Sequence, residues 1–158
     1  MPYRTLSILG ALLLAFNLAA QSPKPNFSGE WQMDAAKSEF SKFPMPTALT
    51  RVVTHKGANL DIDTTQRSSA GEQTAHAHYR TDGVETTNQF SSGTGTSHAF
   101  WDGNTLVIRT TTKVKNDIDV LMEERWTLSD DQKTLTTISH IETSGGEIEL
   151  KLVCNRTK

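Results

Sequence analysis

Asn26-Phe27-Ser28-Gly29-Glu30-Trp31-Gln32-Met33 is a stretch of strict alternation. Phe27, Gly29, Trp31 and Met33 share one parity, so in a strand they face one side, while Ser28, Glu30 and Gln32 face the other. Gly29 leaves room beside the large indole of Trp31, and a glycine inside a strand marks a close backbone approach or a bend. A strand with one large apolar face needs further strands to cover it, and the rest of the chain reads as a supply of them.

Toward the N-terminus, Ser22-Pro23-Lys24-Pro25 reads as a short extended linker within residues 21–26. Before it, Arg4 precedes an apolar run from Leu6 to Leu18, broken only by Ser7, Gly10 and Asn17, and Ala19-Ala20 supplies a small-residue cleavage site. The reading is a secretory signal peptide over residues 1–20, cut after Ala20. It is too short and weakly flanked for a membrane span, and no cysteine lies near the cut to carry a lipid. The alternative is a permanent anchor. The expected location is secreted or periplasmic, with no membrane insertion after cleavage and a single domain over residues 27–158.

A net charge of −2, with 22% charged and 35% hydrophobic residues, fits one soluble domain. No basic stretch interleaves with aromatics, so nucleic acid is not an expected partner, and no polybasic run addresses a membrane surface. Cys154 is the only cysteine, so no intramolecular disulfide is possible and stability must come from packing and strand pairing. A monomer is expected.

Toward the C-terminus, Asp34 to Phe40 reads as one or two helical turns with Asp34 as N-cap, stopped by Pro44 and Pro46. From Leu49 onward come short β-rich runs split by turn signals: Leu49–His55, Leu60–Arg67, Gln73–Arg80, Val84–Phe90, Gly95–Trp101, Thr105–Lys115, Ile118–Leu128, Thr134–Ile141 and Glu147–Arg156. Asp82-Gly83, Asp102-Gly103 and Asn116-Asp117 read as turns between them. With the opening strand the count is about ten. Short connections predict antiparallel neighbours, and a meander this long leaves exposed edges unless it closes on itself. The expected fold is all-β, an antiparallel up-and-down barrel of about eight to ten strands. A two-sheet sandwich is the alternative.

Parity assigns an inner face to most strands. Val120, Met122, Trp126 and Leu128 carry Glu124 with them, and Ile148, Leu150, Leu152 and Cys154 lead to Arg156. Leu106, Ile108 and Val114 bring Thr110 and Thr112. Leu60 and Ile62 bring Thr64 and Gln66. Val84 and Phe90 bring Thr86 and Asn88, while Leu135 and Ile141 bring Thr137 and Ser139. His98 and Phe100 are expected inside together. An unpaired buried polar group costs roughly 1–3 kcal/mol, so this mixed inner face predicts a hydrated cavity. Strand ends at a barrel mouth are the alternative.

Laid out this way, the chain resembles the calycin superfamily of lipocalins and fatty-acid-binding proteins. Phe27-Ser28-Gly29-Glu30-Trp31-Gln32-Met33 looks like their opening strand with its Gly-x-Trp signature. Val153-Cys154-Asn155-Arg156 is similar to the last strand of the fatty-acid-binding proteins, where an inward arginine holds a ligand carboxylate and a tyrosine follows two residues later. Lys158 stands in the place of that tyrosine. In lipocalins an arginine near the C-terminal end packs over the signature tryptophan, which gives Arg156 a structural role instead. The short connection after Met33 leaves little room for the two-helix lid of the intracellular fatty-acid-binding proteins. The pattern also looks like that of small secreted bacterial lipocalin-like proteins of uncharacterised function. The resemblance implies small-molecule binding and no catalysis.

His76-Ala77-His78 puts two imidazoles on one strand face, a spacing metals use, and the run from Gly71 to Asp82 loosely resembles a first cupin motif without a second. Ala75, Ala77 and Tyr79 form the better inward set, so both histidines are expected outside with no tight metal site. No cofactor is expected. No Gly-x-Ser-x-Gly elbow is present, Gly93-Thr94-Gly95 opens no helix to cradle a phosphate, and a Ser-His-Asp triad has no fixed order by which to recognise it. Trp101 reads as a turn-packing aromatic and Cys154 as an inert buried thiol. The expected site is an interior pocket for a small amphipathic ligand: Arg156 and Glu124 as its charged end, Trp126, Met122, Phe90, Phe100 and Ile108 as its apolar wall, and Asn88, His98 and Thr110 fixing orientation. The alternatives are a pocketless structural or interaction module, a metal-binding barrel using His76 and His78, and an enzyme.

Overall fold

A computed structural model of the chain describes residues 23–114 and 118–158. The expected signal peptide, the first two residues of the expected linker, Lys115 and the expected turn at Asn116-Asp117 lie outside the described residues. Ten strands follow one another: β1 (Gly29–Met33), β2 (Ala48–Lys56), β3 (Asn59–Ser68), β4 (Gly71–Arg80), β5 (Thr86–Phe90), β6 (Gly93–Asp102), β7 (Thr105–Val114), β8 (Ile118–Leu128), β9 (Thr134–Thr143) and β10 (Gly146–Arg156). They form one antiparallel sheet in the order β4-β3-β2-β1-β10-β9-β8-β7-β6-β5. The first and last strands pair, with Trp31 opposite Arg156, so the sheet wraps into a nearly closed barrel. A two-sheet sandwich does not form.

Most neighbours in sequence are hairpin partners, as short connections dictate. The link from β4 to β5 is the exception. The Gly83 amide donates to the Ala99 carbonyl at 2.8 Å, which draws the chain onto β6. The next strand then starts at Thr86, opposite Ser97, and Asp82-Gly83 joins the two sheet edges without a ladder between them. Val84, expected inside, precedes that strand and is exposed.

The segment after β1 forms a single turn in place of a helix. Lys37 N–H donates to the Asp34 carbonyl at 3.2 Å, and beyond it Glu39 exchanges two backbone bonds of 2.8 Å with Lys151 of β10. The Ser38 hydroxyl accepts from Val153 N–H at 3.0 Å. Where the short β1 ends, β10 still has backbone groups to satisfy, and a helix would leave them unpaired. Among the described residues no helix forms and no two-helix lid covers the barrel.

One end of the barrel is packed solid. Phe27, Trp31, Leu60, Leu106, Ile108, Trp126 and Leu135 are fully buried there or just above. The Arg156 guanidinium lies over the Trp31 ring, 4.2 Å from its centroid. Its Nε donates to the Gln132 carbonyl at 2.8 Å and its Nη1 to the Ser28 carbonyl. Gly29 has φ +145°, and a Cβ there would collide with the Arg156 guanidinium and the Lys158 carbonyl, so the glycine of the opening strand exists to admit this arginine. Phe27, His55 and Trp101 form a three-ring cluster, with Phe27 5.9 Å from each of the other two centroids and those two 6.2 Å apart. The His55 Nδ1 accepts from the Phe27 amide at 3.4 Å, and burial holds its imidazole below the usual histidine range.

Candidate functional site

Above that packed end the small and polar residues of the inner face leave space. A cavity of about 300 Å³ lies inside the barrel. Its apolar wall includes Phe40, Leu49, Ile62, Phe90, Met122, Trp126 and Leu152. Arg51, Thr64, Gln66, Tyr79, Glu124, Thr137 and Ser139 interrupt that wall. The mixed inner face read from the strands therefore surrounds a real interior space.

Two opposite charges face this space. Glu124 comes from β8, between Met122 and Trp126, and is buried. Burial pushes its carboxyl above the usual range, against the pull of Arg51 and a hydrogen bond from Ser139. Arg51 comes from β2, where Leu49, Arg51, Val53 and His55 share the inner parity. Its Nη1 donates to the Thr137 hydroxyl at 3.4 Å, and its guanidinium lies 5.1 Å from the Trp126 ring centroid. Arg51 and Glu124 are not among the direct ion pairs that the described residues make. The Arg51 Nε and the Trp126 Nε1 are buried donors without an acceptor. Tyr79 adds a buried phenol, pushed far up by burial and by Glu124 with Arg51 opposing.

The seam between β4 and β5 adjoins the cavity. A cleft of about 940 Å³ runs along that seam and is lined by Gln73, His76, His78, Thr87 and Gln89 among others. Thr64, Gln66, Ala75 and Phe90 line both the cleft and the inner cavity. Asn88 ties the seam: its Oδ1 accepts from the His78 amide at 2.7 Å and its Nδ2 donates to the His78 carbonyl at 3.0 Å. One side chain thus stands in for a backbone rung.

Of the residues expected at the site, Glu124, Trp126, Met122 and Phe90 line the cavity. Ile108 and Thr110 face inward from β7 but are packed away from it. Ile108 belongs to the core, and the Thr110 hydroxyl bonds that of Ser97 at 2.8 Å. Asn88 is at the seam. Arg156 is spent on Trp31, Ser28 and Gln132 at the closed end, so the charge facing Glu124 across the cavity belongs to Arg51.

His98 and Phe100 point outward, against expectation. On β6 the inward set is Gly95, Ser97 and Ala99, all buried. A Cβ on Gly95 would strike the Phe90 ring, and Ala99 sits opposite the buried Ile108. The interior is already filled by aromatics from other strands, so β6 turns its small residues in. Phe100 lies under the Arg109 guanidinium at 5.2 Å. The His98 Nδ1 is 3.2 Å from the Gly83 carbonyl, and its Nε2 is 3.3 Å from Glu85.

His76 and His78 lie on the outer face of β4, each with Nδ1 2.8 Å from an aspartate of β3, Asp63 and Asp61 respectively. Among the described residues no three His, Cys, Asp or Glu side chains gather to hold a metal ion. Arg51 was the main omission from the expected site. Its signal was the one used for Glu124 and Arg156, a charge continuing an apolar parity.

The order of the strands, with the last returning to pair the first and the Gly-x-Trp strand sealed by Arg156, decides the fold. The fold is that of a calycin-like β-barrel. Solved structures with this fold include the zebrafish ileal bile acid-binding protein complexed with cholic acid, at 14% identity and a TM-score of 0.57, covering 83% of this chain and 98% of that one. Secretory abundant heat soluble protein 4 from Ramazzottius varieornatus is similar at 11% identity and a TM-score of 0.57, over 84% and 95% of the two chains. Another secretory abundant heat soluble protein from the same organism is similar at 10% identity and a TM-score of 0.60, over 87% and 98%. No protein-family model matches the chain, and no curated protein matches it significantly.

Proposed function

We propose that the protein is a secreted, non-catalytic carrier that holds a small amphipathic molecule inside the barrel. The observation that carries this reading is the interior cavity with an apolar wall, a buried Glu124 and a half-buried Arg51 facing it. A solid barrel has no use for two such charges, because desolvating them costs several kcal/mol each. A ligand with a polar end and an apolar body uses both parts of the wall. At about 300 Å³ the cavity is at the lower end of what small-molecule sites span, so the ligand is compact. The zebrafish neighbour, solved with cholic acid, supports a small-molecule role for a barrel of this shape, and none of the three neighbours is named as an enzyme. The apolar leader ending in Ala19-Ala20 supports export.

Fluorescence titration with an anionic apolar probe tests the reading on wild type, Arg51→Gln and Arg125→Gln. Arg125 is on the outer face, paired with Asp102 and Glu123. Saturable binding is expected in wild type and Arg125→Gln, with a loss of tenfold or more in Arg51→Gln, the scale of a charge-assisted hydrogen bond. No saturable binding by wild type, or an equal loss in both variants, overturns it.

A further inference from the structure

We infer, resting on the binding role proposed above, that the ligand is a small carboxylic acid whose head group lies between Arg51 and Glu124 and shares one proton with Glu124, so that binding the anion takes up a proton. Arg51 and Glu124 look into the same cavity from β2 and β8, yet neither is the other's direct partner. Two donors on the Arg51 side have no acceptor: the guanidinium Nε and the indole N–H of Trp126, both shut off from solvent. Those groups are neighbours, since the guanidinium lies over the Trp126 ring. Buried donors are satisfied in nearly all native interiors, so the place calls for an acceptor brought from outside. A carboxylate supplies one with two oxygens and matches a guanidinium fork.

Glu124 decides the proton count. Were it ionised beside a bound carboxylate, two negative charges would share one guanidinium in a space with little water, and one of the two would protonate instead. With a single proton between them, one carboxyl donates an O–H and the other accepts it. The anion, one proton and the ionised Glu124 give the complex, and the bond formed is that O–H. Two other titratable groups line the cavity with Glu124, Arg51 from β2 and Tyr79 from β4, and Cys154 of β10 is buried near Arg51. Arginine stays charged, and burial pushes both the phenol and the thiol upward, toward their neutral forms. Burial pushes the Glu124 carboxyl upward as well, so among these groups it is the one that takes the proton up, once the pH is high enough to ionise it in the empty cavity. The wall supplied by Phe40, Phe90 and Trp126 suits an aromatic body on the acid.

Isothermal titration calorimetry of phenylbutyrate, phenylbutyramide and methyl phenylbutyrate tests this between about pH 5.5 and 8.5, above the acid's own titration. Two buffers of different ionisation enthalpy report the protons taken up. Above the pH at which Glu124 ionises in the free protein, the acid's Kd is expected to rise by up to tenfold per pH unit, the limit for one linked proton, with uptake approaching one proton per molecule bound. The amide's Kd is expected to stay flat, the ester, which has no proton to share, to bind more weakly than the acid, and Glu124→Gln to bind the acid without proton uptake. Near-UV circular dichroism checks that the variant is folded, and the wild-type buffer comparison stands if it is not. Acid binding without proton uptake, or an acid affinity no more dependent on pH than the amide's, overturns the inference. Amide binding without acid binding overturns it while leaving the carrier role standing. Failure of all three to saturate the protein removes both.

Discussion

Replacing Trp31 and Arg156 singly and together separates what holds the barrel shut from what holds a ligand. Trp31 is 1% exposed, and its Nε1 donates to the Phe27 carbonyl at 2.9 Å. Removing a side chain of that size from a core costs about 3–5 kcal/mol, and the orphaned carbonyl keeps Trp31→Ala at the upper part of that range. Domains of this size are stable by about 5–15 kcal/mol, so Trp31→Ala leaves a small margin, and Trp31→Phe, at about 1–2 kcal/mol, is the gentler companion. Arg156→Gln loses the ring contact and two hydrogen bonds to carbonyls, about 1–2 kcal/mol. Because the guanidinium sits on the indole, the double variant is expected to fall short of the summed single losses by about 1 kcal/mol. Urea denaturation followed by circular dichroism measures wild type and all four variants, and probe titration of folded Arg156→Gln is expected to match wild type. An unchanged midpoint in Trp31→Ala, strict additivity, or a probe affinity lost with Arg156 rather than Arg51 would refute this division of labour.

Three further outcomes follow from particular contacts. Burial lowers the His55 pKa in the folded state, so its share of stability is full above about pH 6.5 and is lost as the pH falls from there through the folded value; urea midpoints across that range should drop less in His55→Phe than in wild type. Asn88→Ala removes both bonds to the His78 backbone, so hydrogen exchange at the His78 amide should speed up by tenfold or more; unchanged protection would mean the seam is tied elsewhere. Intact-mass analysis of exported protein should show residues 1–20 removed, and the full chain in a membrane fraction would count against export.

The ten strands were legible because this chain punctuates itself: Gly57 and Gly103 sit in turns, Gly71, Gly93 and Gly146 open strands directly after turns, and parity then follows from period two. The exceptions have local causes. Asp82-Gly83 carries a hairpin signal, but the bond from Gly83 to Ala99 redirects the chain, and no local rule reveals a tertiary bond. His98 and Phe100 were misplaced because β6 has small residues on one face and large ones on the other, and hydrophobicity alone favours the large set. Whether small residues are needed depends on what other strands have already put inside. Arg156 and Arg51 both continue apolar parities, so pattern alone could not choose between them. Both stand opposite Trp31 in its two ladders, and side-chain contacts choose: the Arg156 guanidinium lies on the Trp31 ring and bonds Ser28 and Gln132, while that of Arg51 lies over Trp126 and acts on Glu124.

Native mass spectrometry of the protein recovered from its own host tests the carrier role most directly. The account predicts one added mass of a compact organic acid on wild type, released by collisional activation and missing from Arg51→Gln produced in the same way. The bare polypeptide mass from both proteins, or the same added mass on both, would contradict it.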